Sequence, residues 1–140
     1  MICPFVASHD YPPPSGVFIW DELLTERPDD AAIFYSMLFD WTCKTTHVGA
    51  LGDYVSYAAK DGTPVAGAMR FQVDKTVYAQ WVPYIAVSDV DATVTLAKSL
   101  GGHVVMPATS LEHVGRSALL EDPTGAMFGI LLPHGNISGR

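Results

Sequence analysis

The chain has 140 residues, 49% of them hydrophobic and 16% charged. That is enough apolar matter for one folded domain, and it excludes a disordered polyelectrolyte. Eight Lys and Arg against fifteen Asp and Glu leave a formal net charge of −7, with no basic stripe to neutralise nucleic-acid phosphates or anionic lipid. Two cysteines, Cys3 and Cys43, are too few for a disulfide scaffold and lie in no Cys/His cluster; both are expected to be free thiols, with Cys43 buried.

Residues 1–16 end in Pro12-Pro13-Pro14-Ser15-Gly16, which favours extended backbone and cannot continue a helix, so they read as an N-terminal arm. This segment has neither a basic leader nor a long apolar run, and no stretch approaches the roughly 20 apolar residues of a membrane span. The expectation is a soluble cytoplasmic protein. Asn136-Ile137-Ser138 matches a glycosylation sequon, a pattern short enough to arise by coincidence.

A strand is predicted over Val17–Leu24. Pro28, Asp29 and Asp30 then open a helix, because proline suits the first turn and carboxylates favour its positive end. Ala31, Phe34, Tyr35, Leu38 and Phe39 follow at i, i+3, i+4, i+7 and i+8, one apolar helical face. Asp40 after the helix is expected to be left-handed. Strands are predicted at Cys43–Val48 and Tyr54–Ala59, and Asp61-Gly62 turns into a third at Val65–Val73.

The same order recurs. A strand at Trp81–Val87 leads to a helix over Asp91–Leu100 that stops at Gly101-Gly102. Strands at His103–Met106, Ser117–Glu121 and Ala126–Leu132 follow. The turn Lys60-Asp61-Gly62 through Gly67 runs parallel to Glu121-Asp122-Pro123 through Gly129 with one residue inserted, so the chain reads as an internal duplication.

The expected fold class is α+β: two tandem β-α-β-β-β modules, about 17–76 and 80–133. They form a curved, mostly antiparallel sheet around a trough with the helices outside, followed by a tail at 134–140. Such a concavity suits a ligand.

Three blocks carry a resemblance to a known family: Phe34-Tyr35-x-x-Leu38-Phe39-x-Trp41; Trp81-Val82-Pro83-Tyr84-Ile85-Ala86-Val87 with Asp89-Val90-Asp91-Ala92 and Leu100-Gly101-Gly102; and Gly115-Arg116 with Asp122-Pro123-x-Gly125-Ala126-x-Phe128. The chain resembles the vicinal oxygen chelate superfamily, which includes glyoxalase I, extradiol dioxygenases and bleomycin-resistance proteins, over residues 17–133. The resemblance implies a divalent metal held on the first and last strands of each module, at positions that fall on Trp20 and Tyr84, and on Gly67 and Gly129. None of the four is His, Glu or Asp. A shift of one residue would bring in Asp21, and one carboxylate does not hold a metal that needs three or four ligands. The expectation is no metal and no other cofactor.

Trp20, Glu22, Gly67, Met69, Tyr84, Arg116 and Gly129 are the expected ligand-binding residues. Aromatics opposite glycines suit a flat or cationic compound, or else are ordinary core. Glu22 shares a face with Trp20 by strand alternation. It is the candidate general base or cation partner, or alternatively a salt-bridge partner of Arg70 or Arg116. Arg116 is a clamp for a ligand carboxylate or a structural partner for a loop carboxylate. Of the five histidines, only His113 is kept as a reserve acid or base.

The expected function is metal-independent small-molecule binding of the bleomycin-resistance type, sequestering a cationic or aromatic drug or metabolite. The alternative is a metal-free isomerase or lyase with Glu22 as base. The expected partner is a second copy in a homodimer, with neither nucleic acid nor membrane.

Overall fold

The computed structural model describes residues 13–47, 52–70, 78–111 and 114–134. Ten elements follow in order: β1 (Phe18–Thr25), α1 (Pro28–Phe39), β2 (Thr42–His47), β3 (Asp53–Ala58), β4 (Pro64–Arg70), β5 (Gln80–Ala86), α2 (Val90–Ser99), β6 (His103–Leu111), β7 (Gly115–Glu121) and β8 (Met127–Pro133). The architecture is α+β with β-α-β-β-β stated twice. Two compact units result, one of Asp21–Val82 and one joining Met1–Trp20 to Pro83–Arg140.

In the first module the strand order is β2-β3-β4-β1. β1 and β4 are parallel, with Glu22 opposite Gly67 and Leu24 opposite Met69, while β4–β3 and β3–β2 are antiparallel. Leu23, Val55, Tyr57, Ala66 and Ala68 form the core under α1, joined by Ala31, Ala32, Tyr35 and Trp41. Alternation therefore puts Glu22, Leu24, Gly67 and Met69 on the face of the sheet that carries no helix.

The second module repeats this with order β5-β8-β7-β6. Tyr84 stands opposite Gly129 in the parallel β5–β8 pair. Its core, under α2, is Val90, Ala118, Leu120 and Ile130 with Val94, Ala97, Phe128 and Leu132. Gly129 and Tyr84 again fall on the helix-free face.

Local chemistry explains the element ends. Asp89 caps α2 by accepting from the Ala92 N–H at 2.9 Å, and the Gly102 N–H closes the other end on the Ala97 carbonyl at 2.8 Å. α1 has no such side-chain cap; it opens on Pro28 with Asp29 and Asp30 in its first turn, and ends on Asp40 at φ 57°, the left-handed residue expected there. Asp61 and Asp122 fold equivalent turns, accepting from the N–H of Thr63 at 2.9 Å and of Thr124 at 2.7 Å.

Three expectations need correction. β6 runs on through Pro107 to Leu111, because the last strand of its sheet order tolerates a proline and absorbs it in register shifts on both sides of Met106. Cys43 is exposed rather than buried, and the Ser36 hydroxyl lies 3.8 Å from its Sγ. Helix α1 turns Ala31, Ala32 and Tyr35 inward and leaves Ile33, Phe34, Met37, Leu38 and Phe39 each more than half exposed. Small alanines let the helix sit close to the sheet, and Tyr35 is drawn in by Trp41, Tyr57 and Trp81, whose indole N–H donates to the Tyr35 hydroxyl at 3.0 Å. Cys3, His9, His113 and the sequon lie outside the described residues.

Candidate functional site

Trp20, Glu22, Met69 and Tyr84 are all buried, and Glu22, 6% exposed, is the buried charged side chain of the described residues. A carboxylate withdrawn from water costs several kcal/mol unless partners compensate it, and Glu22 is not without them. Alternation places Arg70, whose register partner is Thr25, on the other side of the sheet from Glu22.

The register reassigns one position. Gly67 and Gly129 correspond in the two duplicated turns, and their partners on the first strand are Glu22 and Tyr84. The module 1 counterpart of Tyr84 is therefore Glu22, two residues beyond Trp20; Asp21 between them is exposed. Glu22 and Tyr84 also stand six residues before the first residue of α1 and of α2, so the spacing to the helix start agrees with the parallel pairing.

Both glycines lie beneath a tyrosine of their own module. A Cβ on Gly67 would run into the hydroxyl end of Tyr54, and one on Gly129 into the ring of Tyr84. The space opposite Gly129 is thus occupied by Tyr84 itself instead of standing open as a slot.

Arg116 does not join this group. Its Nε and Nη2 donate to the two carboxylate oxygens of Asp91, each at 2.7 Å, and its Nη1 donates to the Ser110 hydroxyl at 2.9 Å. Register puts Arg116 beside Leu132, on the α2 side of the sheet, away from Tyr84 and Gly129. Hydrogen bonding from Arg116 holds the Asp91 carboxyl below the usual aspartate range, and the same bond raises the guanidinium. Of the two roles expected for Arg116, the structural one is realised with Asp91 in the first turn of α2. Around Arg116 lies an open cleft of about 520 Å³, lined by Ser110, Leu111, Leu132, Pro133 and His134 and confined to the second module. The sequence offered no signal for it, since it depends on where three strand ends stop.

At the paired first- and last-strand positions, to which the resemblance points for a metal, the first module holds Glu22 and Gly67 and the second Tyr84 and Gly129, so neither module supplies there the three or four ligands a divalent metal requires. Among the described residues no group of three His, Cys, Asp or Glu gathers elsewhere.

Paired β-α-β-β-β modules, each with a parallel first and last strand and a helix on one face, define a glyoxalase-like fold. No protein-family model matches the chain. It is 38% identical over 119 residues to a Mycobacterium tuberculosis protein named putative glyoxylase CFP32, covering 85% of this chain and 45% of that protein. It is 30% identical over 128 residues to the anthracycline biosynthesis protein DnrV of Streptomyces peucetius, covering 82% and 46%. The chain thus spans about half the length of these curated relatives. Among solved structures, the fold is similar to methylmalonyl-CoA epimerase from Mycobacterium tuberculosis, with a TM-score of 0.56, 14% identity and coverage of 89% of this chain and 92% of that one. It is also similar to a variant of homoprotocatechuate 2,3-dioxygenase from B. fuscum, with a TM-score of 0.57, 12% identity and coverage of 89% and 35%. These likenesses agree with the resemblance to the vicinal oxygen chelate superfamily. No described helix is long and apolar enough to cross a membrane.

Proposed function

We propose that the protein binds a small cationic aromatic compound without a metal, using Glu22 as the anionic anchor on the helix-free face of the first module. The observation that carries this reading is the burial of that one carboxylate among Leu24, Gly67 and Met69. A cation brought to it is favoured by weak solvent screening. The net charge of −7 favours the approach of the same class of ligand. Relatives named for anthracycline biosynthesis support a planar polycyclic compound, and an anthracycline bearing an amino sugar joins such a ring system to an ammonium group.

Fluorescence titration with an amino-sugar anthracycline tests the proposal. Saturable binding is expected, weakened at least about tenfold by Glu22→Gln, equivalent to about 1.4 kcal/mol, and unchanged by chelator. Absence of saturation, or indifference to Glu22→Gln, would rule it out.

A second reading has Glu22 act as general base in a metal-free isomerase or lyase, and the similarity to a protein named glyoxylase favours it. On that reading the bound compound is converted, and Glu22→Gln loses turnover while retaining binding. Product analysis by mass spectrometry separates the two.

A further inference from the structure

We infer that the cleft at the ends of β6, β7 and β8 is a second ligand site, independent of Glu22, that takes an uncharged aromatic molecule bearing a carbonyl oxygen. Its volume, about 520 Å³, falls within the range of roughly 300–1,000 Å³ typical of small-molecule sites. Leu111, Leu132 and Pro133 give it apolar walls, and Arg116 and Ser110 supply its polar side.

The hydrogen bonds of Arg116 decide the ligand's chemistry. A guanidinium carries five N–H donors. Asp91 takes two and Ser110 takes one, leaving two without a partner among the described residues. The charge, by contrast, is already spent: Asp91 neutralises it in a two-point contact, and the field of Asp89 reaches the guanidinium as well. A ligand carboxylate would meet donors but no net positive charge, with two aspartates close by, and would lose its own hydration on entry. A carbonyl oxygen accepts the same hydrogen bonds at far lower desolvation cost, while its ring body covers the leucines and the proline. The ion pair therefore fixes the guanidinium in place and leaves its remaining N–H groups as donors beside a compensated charge.

The test uses backbone amide NMR of the full chain with 2-acetylnaphthalene and the isosteric anion 2-naphthoate as probes. The expected result is saturable shifts at Leu111, Gly115, Arg116 and Leu132 with the ketone, and at least tenfold weaker binding of naphthoate. Leu111→Trp, which fills the cleft from a partly exposed position, is expected to abolish the shifts while keeping the dispersed spectrum of a folded protein. Glu22→Gln is expected to leave them unchanged, so failure of the anthracycline experiment and failure of this one are distinguishable. Equal binding of naphthoate, shifts confined to other residues, persistence of the shifts in Leu111→Trp, or no saturation with the ketone would each overturn the inference.

Discussion

Three glycines show how one missing methyl group carries different weight in different surroundings. A Cβ at Gly115 would strike the backbone of Leu132, Pro133 and His134, and its φ of +135° is closed to other residues. At Gly129 the obstacle is the ring of buried Tyr84, and at Gly67 it is the far, hydroxyl end of Tyr54. Alanine substitutions should therefore destabilise in the order Gly115, Gly129, Gly67. Overpacking costs about 1–3 kcal/mol, and backbone strain adds a comparable amount at Gly115 alone; urea unfolding at neutral pH measures all three. Tyr57 makes a separate prediction. Its hydroxyl is buried with no hydrogen-bond partner among the described residues, and burial, reinforced by Cys43 and Tyr35, pushes its pKa up to about 12 from 10.0. The unfolded chain loses this proton first, so the contribution is whole below about pH 10 and disappears as pH rises towards 12. Tyr57→Phe should be neutral or slightly stabilising at pH 7, and its stability should fall less steeply than the parent's between pH 9 and pH 12.

The duplicated turns carry the stability of whole elements. Asp122 accepts from the N–H of Thr124 and Ala126 and from the Thr124 hydroxyl, and Asp61 accepts from the Thr63 N–H. Those hydrogen bonds hold both carboxyls below 3.8, so their contribution is present above that value and is lost as pH falls beneath it. Asp122→Ala should weaken the β7–β8 turn at pH 7 and flatten the acid limb of a stability–pH curve measured by urea unfolding. The order of elements and the paired turns were legible because each rests on residues close in sequence: Pro28, the Asp-Gly turn at 61–62 and the Gly101-Gly102 stop. The packed face of α1 was not, because Ala31 to Phe39 is apolar except for Ser36 and every phase of a 3.6-residue period finds apolar residues. Contact with Trp41, Tyr57 and Trp81 decided it. Accordingly Met37→Glu, 82% exposed, should change stability by no more than about 0.5 kcal/mol, whereas Tyr35→Ala should cost about 3 kcal/mol in the same denaturation assay.

At the level of the whole molecule, charge separates the two proposed ligands. With a net charge of −7, binding of a cationic anthracycline should weaken several-fold as salt rises from about 50 mM to 500 mM, while binding of the neutral ketone should stay within about twofold. Isothermal titration at the two salt concentrations measures both. The candidate site itself was half legible. Glu22, Gly67, Tyr84 and Gly129 follow from alternation and the duplication, but their pairing and the diversion of Arg116 to Asp91 depend on contacts between residues far apart in the chain.

The proline within β6 bears on a hazard shared by proteins rich in sheet. A strand that ends a sheet shows unpaired amides to the solvent, and a second molecule can add to them as to the end of a growing fibre. Pro107 removes one of those amides, and the register shifts around Met106 bend the strand away from flatness. At the end of the other sheet order, β2 is Thr-Cys-Lys-Thr-Thr-His, polar and almost wholly exposed. Both ends are poor templates. Concentrated solutions should therefore resist fibril growth through these strands, and Pro107→Val is the single change that would remove the guard at β6.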